Sequence, residues 1–129
     1  MGDTVAKVFV CLVGGLYVLL GLYCSLLPGR ASKAVGFQLN PGSGQSEFLT
    51  VYGGLEVGMG LVFLWPLLRP GETEFALRAC LIIHACLVLF RSLGFAVFRN
   101  FESTTYSLAI GEWIIFLGSA FLWWRMTKA

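Results

Sequence analysis

Glu56, His84, Arg91 and Glu112 each stand inside a stretch too apolar to solvate them, and together these side chains can do acid–base chemistry on a bound molecule. Carboxylates and imidazole exchange protons, so Glu56, His84 and Glu112 are the candidate proton-transfer groups. Arg91 keeps its charge in nearly any setting and suits an anchor for an anionic or carbonyl-bearing group better than a general acid. Tyr52 precedes Glu56 by four residues, which on an α-helix turns both toward one pocket or one hydrogen-bond network. The candidate ligand-binding set is therefore Tyr52, Glu56, Arg91 and Glu112. A plainer reading competes with it: an arginine in hydrocarbon is costly until it meets a carboxylate, so Glu56 and Glu112 would serve only to neutralise Arg91. Cys80 and His84, one turn apart, would supply with Glu56 a fragment of a metal shell, but no motif completes it, and no metal or cofactor is expected.

The elements that must hold these groups are four apolar stretches, approximately 5–27, 48–68, 75–98 and 106–124, each long enough to span a hydrocarbon core. They predict an all-α fold, a four-helix transmembrane bundle forming a single integral membrane domain over residues 1–129. Gly14 and Gly21 fall on one face of the first stretch, and Gly54 with Gly58 repeats the small-x-x-x-small spacing in the second. Both pairs predict close helix approach, as does Gly111 with Gly118 in the fourth stretch. Pro28-Gly29 ends the first helix, and residues 30–37 suit a short interfacial helix. Ser43 or Ser46 caps the second span. Adjacent spans run in opposite directions, so Glu56, Arg91 and Glu112 share one depth, roughly 9 to 12 Å inside the boundary.

Composition supports this architecture. The chain of 129 residues is 57% hydrophobic and 12% charged, more apolar surface than a soluble domain of this size can hide. A net charge of +2, scattered around helix ends, gives no nucleic-acid footprint. The four cysteines lie in or beside apolar stretches and read as packing thiols. The N-terminal apolar run continues to Leu27 without a small-x-small cleavage site, so it reads as a retained span. Lys7, Arg69, Arg78, Arg125 and Lys128 outnumber Arg30, Lys33 and Arg99 across the membrane, which predicts both termini in the cytoplasm.

The run from Leu26 to Leu61, the Arg91-Ser92-Leu93-Gly94 segment and Gly111-Glu112 resemble a widespread, mainly bacterial family of small four-span integral membrane proteins of unknown function. Tyr52, Gly53, Gly54 and Glu56 carry the most specific part of that resemblance. It implies a four-helix membrane fold in the bacterial inner membrane and points to the same polar residues, without implying a reaction. The expected partner is a membrane lipid or small lipophilic ligand, bound or transformed at the polar cluster, with no nucleic acid. Two alternatives remain: a structural or accessory subunit with a membrane-protein partner, and a small proton-coupled transporter acting as a homo-oligomer.

Overall fold

Runs of leucine, valine and phenylalanine in lipid leave the backbone no outlet for its polar groups except the helix ladder, and the chain is helical almost throughout. The computed structural model describes residues 2–128. In chain order its α-helices are α1 (Gly2–Leu26), α2 (Pro28–Ala34), α3 (Ser43–Phe48), α4 (Glu56–Leu64), α5 (Thr73–Val97) and α6 (Ser103–Lys128). Four runs, Asp3–Leu26, Ser43–Leu67, Pro70–Val97 and Ser103–Lys128, are long and apolar enough to cross a membrane. The fold is all-α.

Local chemistry explains the joints. The chain bends at Leu27, and Pro28 then opens α2, where its missing N–H falls among the amides that lack a helical partner anyway. The predicted serine cap of the second span is replaced by another device. Gly42, at φ 81°, precedes α3, and its N–H donates to Gln45 Oε1 at 3.1 Å. Between α3 and α4 the residues Leu49–Leu55 wind as a π-helix. Gly53 and Gly54 lie inside this wider turn, between Tyr52 and Glu56. Pro66 closes the span in a 3₁₀ turn, Trp65–Leu67.

The helices associate as two pairs. α1 lies along the second span and α5 along α6, and α1 then joins the pairs by touching α5 and α6. The shared core occupies one end, where Ala6, Val10, Phe63, Ala76, Leu77 and Cys80 are fully buried. Toward the other end the pairs part. The π-helical segment packs on α1 and α3 and scarcely meets α5 or α6, while no residue of α5 beyond Val88 or of α6 before Ala109 is buried. The bundle is thus closed beside the chain termini and splayed at the end bearing α2 and α3.

Glycine sets the spacing of the first pair. A Cβ at Gly60 would stand 2.7 Å from the Gly14 carbonyl oxygen, and one at Gly21 would stand 2.9 Å from that of Gly53. A Cβ at Gly53 would collide with Ser25 Oγ. Gly14 and Gly21 meet the expectation of close approach. Gly54 and Gly58 do not: a Cβ at either would meet nothing within 4 Å, because the second span turns Gly53 and Gly60 toward α1 and these two away from it. Gly111 is likewise open, while a Cβ at Gly118 would meet the Phe9 ring at 2.8 Å.

Gly60→Ala should therefore destabilise the protein by about 1–3 kcal/mol, since backbone atoms of Gly14 and Val18 as well as a Val18 methyl group oppose the new Cβ. Gly58→Ala should be neutral or stabilising by roughly 0.5–1 kcal/mol. Unfolding of both variants in one lipid–detergent mixture checks the pair, and equal losses would contradict this packing.

Candidate functional site

Each helix presents one stripe to the interior, and each stripe changes from apolar to polar as it leaves the closed end. On α1 the buried series Val10, Val13 leads to Tyr17. In the second span Phe63 and Met59 lead to Glu56 and Tyr52. On α5 the buried Leu77 and Cys80 lead to His84, Val88 and then Arg91, and on α6 Leu122, Ser119 and Ile115 lead to Glu112. The spacing of three or four residues along each stripe is the helical repeat itself. Polar groups from four helices are thereby collected where the bundle begins to open.

The strongest interaction among them is one ion pair. Arg91 Nε donates to Glu112 Oε1 at 2.9 Å and Nη2 donates to Glu112 Oε2 at 2.6 Å. Two parallel charge-assisted bonds satisfy one edge of the guanidinium and both carboxylate oxygens. The pair is partly sheltered, with 28% of the Arg91 side chain and 12% of the Glu112 side chain exposed. Among the described residues it is the only ion pair.

Glu56 does not join it. The expected cluster of three charges resolves into a closed pair and a third carboxyl group, because Glu112 fills the guanidinium fork and the second span stands off from α5 and α6 at this level. Glu56 is half-buried and lies within electrostatic range of Glu112, yet it accepts no hydrogen bond from protein. Its oxygens reach accessible surface, since no buried side-chain oxygen lacks a partner. The Glu56 carboxyl group is therefore accessible, near the Arg91–Glu112 pair but not bonded to it. Tyr52 stands four residues before Glu56. Its ring stacks on Phe48 at 4.8 Å and meets the edge of Phe37 at 5.5 Å, and the residue lies within electrostatic range of Arg91 and Glu56.

His84 belongs to a separate, dry arrangement. It is fully buried, with Nδ1 2.8 Å from the Cys80 carbonyl oxygen and Nε2 2.8 Å from the Tyr17 hydroxyl. A carbonyl only accepts, so Nδ1 carries a proton and donates; Nε2 of the neutral ring then accepts from Tyr17. Both nitrogens are taken by protein, which leaves His84 no free position toward a ligand. Tyr17 packs edge-on against Phe63 as well, and it is the group that links this arrangement to the ions, lying within electrostatic range of Glu112, Glu56 and Arg91. The signal for the pairing was available in two stripes, Val10-Val13-Tyr17 and Leu77-Cys80-His84, but nothing in the sequence sets them side by side.

A cleft of about 810 Å³ lies at the end bearing α2 and α3, among α2, the loop after it, α3 and Glu102. It reaches neither Arg91 nor Glu112, though Phe37 in its wall touches Tyr52.

These features describe a helical, membrane-embedded protein with an ion pair between its last two spans. No protein-family model matches it, and neither a curated protein nor a solved structure does.

Two measurements test this geometry. In a double-mutant cycle, Arg91→Leu and Glu112→Leu should show a coupling of roughly 1–3 kcal/mol, whereas Arg91→Leu with Glu56→Gln should add to within about 0.5 kcal/mol. Strong coupling of Glu56 to Arg91 would contradict the separation. Tyr17→Phe should cost about 1–3 kcal/mol by leaving the buried Nε2 of His84 without a donor, and a thermal unfolding series in constant lipid tests it.

Proposed function

We propose that the splayed end receives a membrane lipid or small lipophilic molecule whose polar group meets Glu56 and the exposed side of the Arg91–Glu112 pair. The observation that carries this reading is Glu56 itself: it is half-buried within electrostatic range of Glu112, has no protein partner and keeps its oxygens accessible. A carboxyl group in such a setting is a functional candidate, because a structural one would have been given a donor. Arg91 retains guanidinium hydrogens beyond those given to Glu112 and can orient a carbonyl or anionic group beside Glu56. Glu56 is the group free to exchange a proton with a bound molecule. Any chemical step would use Glu56, with Glu112 held as the counter-ion of Arg91.

One observation favours the alternative of a structural or accessory subunit. The Arg91–Glu112 pair closes on itself with two bonds, as a charge pair that merely fixes helix register would. Glu56 has no place in that alternative. The resemblance of Glu47–Gly60 to the mainly bacterial four-span family supports an inner-membrane location, and the excess of Lys and Arg at the closed end supports cytoplasmic termini, so the polar site would open toward the other leaflet.

The test is mass spectrometry of molecules retained by protein extracted into native-lipid discs, compared with Glu56→Gln and Arg91→Lys variants of matched stability. A retained species in the parent, depleted at least fivefold in both variants, is the expected result. Identical retained profiles in all three would leave the cluster a structural one.

A further inference from the structure

The cleft beyond the splayed end carries a charge pattern of its own. Lys33 stands on one wall, at the exposed side of α2, and Glu102 on another, in the turn before α6. Among the described residues neither forms an ion pair, and neither is hydrogen-bonded through its side chain to protein. Glu102 is held beside Gly36, where a Cβ would lie 3.8 Å from its Cγ, so both charges border one opening. Gln38 adds an amide between them in sequence, and Phe37 and Leu49 supply apolar surface leading inward. Ser25 and Ser32 also line the cleft, but their hydroxyls already donate to Gly21 and Gly29 carbonyls, leaving lone pairs as acceptors.

Its position decides which ligands can reach it. α2 comes directly after the end of the first span, burying Ala31 and Ser32 while exposing Arg30 and Lys33, and α3 begins the second span, so the cleft sits at the level where headgroups lie. A volume of about 810 Å³ is within the range of small-molecule sites. A single-charge ligand would use one wall and leave the other bare. We propose that this cleft binds a zwitterionic phosphoethanolamine group, with Lys33 on the phosphate and Glu102 accepting hydrogen bonds from the primary ammonium, and that the group is the headgroup of a membrane phospholipid. A quaternary ammonium offers no N–H to Glu102, and an anionic glycerol headgroup presents no cation to it. The site is distinct from the inner one at Glu56, although Phe37 and Tyr52 in contact connect them.

The experiment uses the whole protein in nanodiscs with a constant neutral background and a minor share of phosphatidylethanolamine, phosphatidylcholine or phosphatidylglycerol, reading lipid adducts by native mass spectrometry. The parent should retain phosphatidylethanolamine about fivefold over either competitor. Glu102→Gln should abolish that preference, Lys33→Gln should lower retention of all three, and Glu56→Gln should leave the headgroup preference unchanged. Lys33 and Glu102 are exposed, so both variants should keep the parent's unfolding temperature. Equal retention of the three lipids by the parent, or an unchanged preference in Glu102→Gln, overturns the proposal. Soluble glycerophosphoethanolamine is the arm that separates sources: displacement of the lipid adduct at low concentration would overturn the membrane source, and failure to displace it supports that source. Loss of preference in Glu56→Gln would overturn the separation of the two sites, whereas failure of the inner site to retain any ligand leaves the headgroup preference to be read by itself.

Discussion

Backbone contact between α1 and the second span governs the rest of the molecule. With Gly14 against Gly60 and Gly21 against Gly53, the two helices approach until carbonyl oxygens occupy the places that Cβ atoms would need. Lipid offers helices no hydrophobic reason to associate, so this close packing supplies the attraction by dispersion and by short Cα–H contacts. Once α1 is held so tightly to one neighbour, its remaining face must serve both α5 and α6. It does so near the chain termini, through Ala6, Val10 and Val13, and the two pairs diverge from there. The opening is thus a consequence of where the small residues lie.

The ion pair fits into this geometry as a second constraint. A guanidinium placed two turns beyond His84 would be exposed to hydrocarbon on the diverging face of α5, and Glu112 on the adjacent α6 is the carboxylate that can reach it. Its two bonds fix the rotation of α5 against α6 and restrict the guanidinium to the contacts its remaining hydrogens can make. Glu56, across the opening, is left with a like charge as its nearest ionic neighbour when both carboxyl groups are ionised. One free carboxyl group and one partly committed arginine therefore arise together.

Much of this was legible from residue type. Four long apolar stretches come directly from length and composition, and the helices occupy them; of the three charges expected at one depth, Arg91 and Glu112 meet. Pairing was not legible. Glu56 and Glu112 are equivalent to Arg91 by depth, and only the packing of α5 on α6, with the second span turned toward α1, chooses between them. The same holds for the glycines, since Gly54-x-x-x-Gly58 has the better spacing and Gly53 and Gly60 make the contacts. A π-helical turn over Leu49–Leu55 shifts the helical phase of α4 relative to α3, and a 3.6-residue period applied across it misjudges which face points where. Tyr17 and His84 had matching stripes, but a hydrogen bond between sequence positions so far apart needs the fold to be known.

An open end in water would collapse or recruit a partner to hide its apolar walls. In a bilayer that pressure is absent, because acyl chains are as apolar as the leucine and phenylalanine side chains that line the divergent halves of α5 and α6. Apolar surface there selects nothing, as any lipid tail can cover Leu89, Phe90 or Leu93. Polar groups select, since an unpartnered carboxyl group such as Glu56 gains far more from a donor in a low-dielectric site than it would in water. Under the proposed readings, the free energy that distinguishes one occupant from another is consequently concentrated in the few charged groups that protein leaves unpaired: Glu56, and Lys33 and Glu102 in the separate cleft.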